Sequence, residues 1–222
     1  GVMGVGGDGY SRTSARVDAH VEARTALRTL ADDIAALRFD EDFGVRPVQS
    51  ARAMNEIWFS VWKPRAAQDF TKASGDLCFV YYYTAVTQPL EGAIGPSSRK
   101  LYRRLVSSAD VMAKLKAGET MDLPEPDPPA PEDEAIAFNV VQFLAEPFVR
   151  DEEGLDKAWD EGDPEPTHLS MTLRVTDNET AGALTNPEDW EGKSALAKEL
   201  LEPGKVENKR VRTFQMTVPL DR

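Results

Sequence analysis

The chain has 222 residues, of which 41% are hydrophobic and 29% are charged, and its formal net charge is −12. This composition is ordinary for a folded protein with one substantial core, and the acidic balance argues against nucleic acid as a partner because phosphates would be repelled. The single cysteine, Cys78, excludes an internal disulfide, and no run approaches the ~18 apolar residues of a membrane-spanning helix.

Residues 1–13 are rich in glycine, and we interpret them as a flexible N-terminal tail or a remnant of expression. We expect residues 14–222 to form a single globular domain. Five prolines lie among acidic residues between Pro124 and Pro131, a composition that favours an extended, solvated segment. We therefore predict a Pro-rich insertion near residues 121–135.

A long helix is predicted from near Ser14 to near Arg38, where apolar residues recur at helical spacing. Arg24 interrupts this apolar stripe between Val21 and Leu27. We expect the second half of the helix to pack on the domain's own core and the part from Val17 to Arg24 to project toward another molecule. The stripe consists of Val17, Val21, Leu27, Leu30, Ile34 and Leu37.

Three strands are predicted next, in "NEIWFSVWKP", "GDLCFVYYYTAVT" and "SRKLYRRLVSS". The first alternates, with Ile57, Phe59 and Val61 on one face, whereas the second is apolar throughout and is expected to be covered on both faces. The linker "QPLEGAIGPS" has the composition of a loop. A short amphipathic helix is predicted within residues 107–120.

The rest of the chain predicts further strands around residues 138–144, in "THLSMTLRVTD" and in "KRVRTFQMTVPL", with a short helix in "SALAKELLEPG". The predicted fold class is therefore α+β, with a long N-terminal helix packed on antiparallel β-sheet.

Few residues suggest a catalytic site or a metal site. His20 and His168 are the only histidines, and their spacing predicts neither a metal site nor a catalytic triad. Cys78 lies among apolar neighbours and is expected to be a buried thiol. The acidic stretch from Asp151 to Asp163 has carboxylates that calcium favours, but it does not match an EF-hand loop, and we favour a solvated loop without cofactor.

Aromatic residues offer an alternative. The tryptophans and a run of three tyrosines would suit a platform for a sugar or peptide, although such residues in strands more often pack within the protein. This alternative describes a periplasmic binding module. An enzyme with converging carboxylates is a third possibility, for which no pair of residues stands out. The aromatic set is Trp58, Trp62, Trp159, Trp190, Tyr81, Tyr82 and Tyr83.

The chain resembles the minor pseudopilins of type II secretion systems, and among them the J-type subunit. Their helix commonly follows the pattern Ala-Arg-x-Ala-Leu-x-x-Leu-x-x-Asp-(Leu/Ile), which here is "ARTALRTLADDI" from Ala23 to Ile34. The strings "LCFVYYYT", "KLYRRL" and "NVVQFLAEPF" resemble later strands of the family in the same order. The segment from Asn178 to Lys209 and the Pro-rich insertion are longer than the family's, as in a divergent pilin-like relative.

The resemblance implies that the α+β fold is pilin-like and that the chain is a structural subunit and not an enzyme. It would be a periplasmic domain anchored in the bacterial inner membrane through an upstream segment, trimmed from this chain together with its leader. Its helix would associate with other minor pseudopilins. The residues expected at that interface are Val17, His20, Val21, Arg24 and Leu27.

Overall fold

The computed structural model describes residues 21–37, 46–47, 56–64, 75–87, 98–118, 129–150, 153–160, 163–201 and 210–220. Of these residues, 46% lie in strands and 29% in helices. The strands form two antiparallel sheets. The predicted fold class, a long N-terminal helix packed on antiparallel sheet in a pilin-like arrangement, is therefore wrong: strands predominate among the described residues, in which helix α1 covers residues 21–35.

The sheets dominate because their strands are long and carry enough apolar residues to form a core between them. Strands β3 (Leu77–Thr87) and β6 (Val140–Arg150) have 11 residues each, and each buries residues along most of its length. The helix supplies one apolar stripe to this core, and the larger share comes from strands. Helical periodicity at the start of the chain gave no measure of how much sheet would follow.

The first sheet has the strand order β1-β2-β3-β4-β5, with every neighbouring pair antiparallel. The core face predicted for β2 is confirmed, since Ile57, Phe59 and Val61 are buried. On the other face Trp62 is exposed, but Ser60 is also buried. The prediction that β3 is covered on both faces is also confirmed, because its residues from Cys78 to Tyr83 are all buried. The strands are β1 Arg46–Pro47, β2 Glu56–Trp62, β3 Leu77–Thr87, β4 Ser98–Val106 and β5 Glu134–Ala137.

The second sheet has the order β7-β6-β8-β9, again antiparallel. Strand β8 alternates as predicted, and Leu169, Met171, Leu173 and Val175 are buried. The strand predicted around residues 138–144 is longer than expected and continues to Arg150. The strands are β6 Val140–Arg150, β7 Asp156–Ala158, β8 His168–Thr176 and β9 Val211–Pro219.

The main core joins α1 to both sheets. Leu30 and Ile34 from the helix lie in one cluster with Phe59 of the first sheet and Met171 of the second. Burying each such side chain contributes about 1.5–3 kcal/mol. The helix is thus held by the domain's own core along the stripe that the sequence predicted from Leu27 to Leu37.

A second, smaller core is formed mainly by the chain segment that connects β8 to β9. Helices α3 Asn178–Ala183, α4 Pro187–Trp190 and α5 Ala195–Leu201 share it, and Trp190 is its largest buried side chain. Asp177 caps α3 by accepting from the Thr180 N–H at 2.7 Å. Residues 178–201 therefore contain packed helices, and the helix predicted in "SALAKELLEPG" is α5.

Helix α2 Ser108–Lys116 matches the helix predicted within residues 107–120, and the Ser107 side chain caps it. Residues 1–13 and 121–128, where a tail and most of the Pro-rich insertion were predicted, lie outside the described residues, as does the loop at residues 88–97. Among the helices of the described residues, none has both the length and the apolar character needed to cross a bilayer.

Candidate functional site

The predicted interface residues that the structure describes lie in two different environments on helix α1. Val21 is 58% exposed, and Arg24 is exposed beside it. Leu27 is only 3% exposed and belongs to the main core. Val17 and His20 lie outside the described residues. Of the predicted interface residues that the structure describes, Val21 and Arg24 are thus accessible to another molecule.

The exposed side of α1 continues along the helix at spacings of three, four and seven residues. Thr25 and Arg28 follow Val21 and Arg24 on this side, and Asp32 ends it. The Thr25 hydroxyl donates to the Val21 carbonyl at 2.8 Å, as threonines in helices often do. The helix therefore presents one apolar residue and two arginines near its described start, and a carboxylate near its end.

Asp33 fixes the opposite side of α1 to the first sheet. Arg103 of β4 donates to its carboxylate from Nε at 2.7 Å and from Nη2 at 3.0 Å, and the Tyr82 hydroxyl of β3 donates to it at 2.6 Å. Lys63 lies 3.8 Å away and adds positive charge. We call Asp33, Tyr82 and Arg103 the helix clamp, because it sets which side of α1 faces outward.

The pKa values in the helix clamp follow from its burial and its charges. Burial, the Asp33 charge and the hydrogen bond to Asp33 all raise the pKa of Tyr82, so its hydroxyl stays protonated and donates. Burial lowers the pKa of Arg103, but its hydrogen bonds to Asp33 and the charge of that carboxylate outweigh burial and raise it. The clamp is therefore an ion pair between Asp33 and Arg103 to which a neutral phenol donates.

A second clamp of the same composition lies on the other face of the first sheet. Tyr83 and Arg104 both donate to the carboxylate of Asp133, which also accepts from the Ala130 N–H at 2.8 Å. Burial raises the pKa of Asp133, but these hydrogen bonds and the Arg104 charge outweigh it and lower the pKa. Asp133, at the end of the predicted Pro-rich insertion, is therefore attached to the first sheet, whereas Pro131, Glu132 and Glu134 beside it are exposed.

The two clamps arise from neighbouring residues on paired strands. Tyr82 and Tyr83 are consecutive on β3, and Arg103 and Arg104 are consecutive on β4, so each pair places one member on each face. The register sets Tyr82 directly opposite Arg103. The sequence showed both doublets, but the partner carboxylates are 70 and 29 residues away from their arginines and could not be assigned from it.

The aromatic residues do not form one exposed platform among the described residues. Tyr81 and Tyr83 stack with their ring centroids 4.9 Å apart, and Tyr83 stacks on Tyr102 at 5.4 Å, but all three are buried. Trp190 is buried in the smaller core, whereas Trp62, on β2, is 51% exposed. Trp58 and Trp159 are half-buried, on β2 and just after β7.

Tyr81 also has a buried acidic partner. Its hydroxyl donates to Glu56 at 2.8 Å, and burial together with this carboxylate raises the pKa of Tyr81. The aromatic face of the first sheet is thus a packed layer with its hydroxyls already engaged.

The remaining predicted residues have structural partners. His168 stacks on Phe148 at 5.3 Å and lies 3.8 Å from Asp156, and burial raises the pKa of the fully enclosed Cys78 thiol. In the acidic stretch, Lys157 binds the carboxylate of Asp163 at 3.0 and 3.1 Å. Within the described residues no three acidic, histidine or cysteine side chains group as a metal site would require.

Arg99 is a buried contact that the sequence did not reveal. Its guanidinium donates to the Thr84 hydroxyl at 2.8 and 3.1 Å and to the Trp190 carbonyl at 3.0 Å. Burial lowers its pKa, although the nearby charge of Glu191 acts the other way. Arg99 thereby connects the first sheet to the helical segment that contains α4.

Comparisons with protein-family models, with curated proteins and with solved structures found no match to this chain.

Proposed function

We propose that this chain is a structural subunit of a pseudopilus or pilus-like filament, a J-type minor pseudopilin of type II secretion that assembles through its N-terminal helix. The observation that carries the proposal is the orientation of α1. The positions shared with the pseudopilin helix pattern, including Ala26 and Leu30, are buried except for Arg24, which faces outward together with Val21. The helix thus has a side held by its own domain and a side available to a neighbouring subunit.

Assembly would proceed by packing of helices and not by chemistry on a substrate. Val21 would contribute an apolar contact, and Arg24 and Arg28 would pair with carboxylates on the neighbouring helix. The helix clamp supports this role because it prevents α1 from rotating about its axis and burying the contact side. Neither an enzymatic activity nor a cofactor forms part of the proposal.

The proposed surroundings follow from the resemblance. The chain would be the periplasmic part of a protein anchored in the bacterial inner membrane by an apolar segment upstream of residue 1. Its partners would be other minor pseudopilins, which would meet it along the helix that continues out of the membrane. Val17 and His20 would extend the contact side toward that anchor.

The first experiment is to read the gene upstream of the codon for residue 1. We expect a short basic leader followed by about 20 apolar residues. A cleavable secretory signal by itself, or the absence of upstream coding sequence, would overturn the proposal and favour a soluble binding module.

The second experiment measures association in the full-length protein. Val21→Asp, expressed together with the other minor subunits of the same secretion system, should weaken co-purification about tenfold or more while the unfolding midpoint stays within error. Leu196→Asp is the matched control, because Leu196 is also an exposed aliphatic side chain but lies on α5. This variant should co-purify with the other subunits as well as the unmodified protein does.

If Val21→Asp binds as well as the unmodified protein, the helix is not the assembly surface. If Val21→Asp unfolds the domain, the described start of α1 belongs to the core and the assignment of sides is wrong.

A further inference from the structure

The second sheet ends on one side in a long outer strand. Strand β9 has nine residues, whereas the other terminal strands of the two sheets, β1, β5 and β7, have two, four and three. Outer strands carry unpaired backbone groups and can pair with another chain, so proteins commonly keep them short or place charges and prolines on them. By length, β9 is the exception in the described part of this chain.

The hydrogen-bonding pattern shows which residues of β9 point outward. Thr176 of β8 donates its N–H toward β6, to the Asn139 carbonyl at 2.9 Å. Since alternate residues of an antiparallel strand bond to opposite neighbours, Leu173 and Met171 bond toward β9, where they face Phe214 and Met216. The residues of β9 that alternate with Phe214 and Met216 direct their backbone N–H and C=O groups away from the sheet. They are Val211, Thr213, Gln215 and Thr217.

This outward edge is accessible. The side chains of Thr213, Gln215 and Thr217 are exposed, and among the described residues no strand pairs with β9 on that side. Pro219 belongs to the same outward series, and its missing N–H is tolerated at an edge.

The sequence of β9 lacks the usual protection along its middle. From Val211 to Val218 the one charged residue is Arg212, near the start, and the remaining residues favour strands. On the core-facing side, Phe214, Met216 and Val218 are only partly covered by their own domain. A further strand beside β9 would cover them and satisfy the outward backbone groups.

We propose that this strand is β9 of a second copy of the chain, added antiparallel about a two-fold axis at Gln215. In this register Thr213 lies opposite Thr217 of the other copy, and each such pair exchanges both backbone hydrogen bonds. Phe214 lies opposite Met216 on the core-facing side, and Arg212 lies opposite Val218. Identical charges are thereby kept apart, and the second sheet continues across both copies.

Charge favours the antiparallel direction. Arg210 and Arg212 lie at one end of β9, whereas the other end pairs with the start of β8, which Glu165 precedes. The two-fold arrangement brings the basic end of each copy toward the acidic end of the other. In a chain with a net charge of −12 this arrangement offsets part of the repulsion between copies.

The test uses the full chain in sedimentation equilibrium over a range of concentrations. The unmodified chain is expected to form a dimer in a concentration-dependent manner. Gln215→Pro removes an outward N–H and inserts a ring into the edge, and should weaken dimerisation at least about tenfold. Gln215→Ala keeps the N–H, is the matched control, and should dimerise normally.

A pair of charge variants tests the register and does not depend on how the strand accepts proline. Thr213→Lys with Thr217→Lys places lysines opposite each other across the axis, and Thr213→Glu with Thr217→Glu does the same with glutamates. Each double variant should be monomeric by itself, and an equal mixture of the two should form a heterodimer. Both positions are exposed, so the circular dichroism spectra and unfolding midpoints should match those of the unmodified chain.

The proposal is overturned if the unmodified chain is monomeric at every concentration, or if its dimer survives Gln215→Pro with the fold intact. It is also overturned if the lysine and glutamate variants fail to associate when mixed. Association with a different protein through β9, in the absence of a dimer, would likewise contradict it.

Discussion

Removing the Asp33 carboxylate should destabilise the domain strongly, whereas removing the adjacent Asp32 carboxylate should not. The two residues have the same chemistry and are neighbours in the sequence, but Asp33 is 8% exposed and Asp32 is exposed. Asp33→Ala and Asp32→Ala therefore form a matched pair. The comparison tests whether the helix clamp holds α1 on the first sheet.

The magnitude follows from the bonds that are lost. Asp33→Ala removes three hydrogen bonds, one from Tyr82 and two from Arg103. It also leaves the Arg103 charge buried, with Glu134, largely exposed, as its nearest acidic neighbour at 3.8 Å. Breaking one side of a buried ion pair typically costs about 3–5 kcal/mol, and because Glu134 compensates in part we expect about 3 kcal/mol.

Chemical denaturation measures this difference. For Asp33→Ala the midpoint should fall while the slope of free energy against denaturant is unchanged. Asp32→Ala should lie within about 0.5 kcal/mol of the unmodified protein, since surface substitutions have small effects. Because an aspartate near the end of a helix opposes its dipole, a slight stabilisation is the expected sign.

A double substitution tests the cause. Asp33→Ala with Arg103→Met removes both charges and should recover part of the stability lost by Asp33→Ala, because no unpaired charge stays buried. Equal effects of Asp33→Ala and Asp32→Ala, or no recovery in the double variant, would refute the helix clamp.

Three further measurements test other parts of the structure. The pKa of Asp133 is lower in the folded protein than in the unfolded chain, where it is about 4. The ionised carboxylate therefore contributes stability that is complete above about pH 4 and is lost as the pH falls through the folded pKa. The free energy of unfolding should thus decline less below about pH 4 in Asp133→Asn than in the unmodified protein. Cys78 should react with a thiol reagent at the rate of unfolding, because it is fully buried, and fast labelling under native conditions would contradict this. Trp62→Phe should remove most of the fluorescence that acrylamide quenches readily, whereas Trp190→Phe should leave that fraction in place.

Local periodicity in the sequence was sufficient for most individual elements. The alternation of β8, the core face of β2 and the apolar run of β3 were predicted correctly, because a strand places successive side chains on opposite faces whatever its partners are. The burial of Ser60 on the other face of β2 was not predicted. The stripe from Leu27 to Leu37 predicted the core side of α1 for the corresponding reason in a helix. The placement of Cys78 followed from its apolar neighbours.

The proportions of helix and sheet in the fold could not be predicted in the same way. The long-helix expectation failed because helical and strand patterns each describe one segment, and neither states how the segments divide the core. The helices from Asn178 to Leu201 were also missed in part, since α3 and α4 are too short to show a period.

The sequence by itself determined which side of each longer helix and strand is apolar, because that depends only on the geometry of the backbone and the order of the residues. Tertiary structure alone decided which of Asp32 and Asp33 is buried, which arginine of the Arg103–Arg104 doublet meets each carboxylate, and that β9 lies at an edge. These outcomes depend on strand register and on contacts between residues distant in the chain. Whether a carboxylate has a buried partner, and whether a strand is paired on one side or on both, is decided only when those distant segments meet.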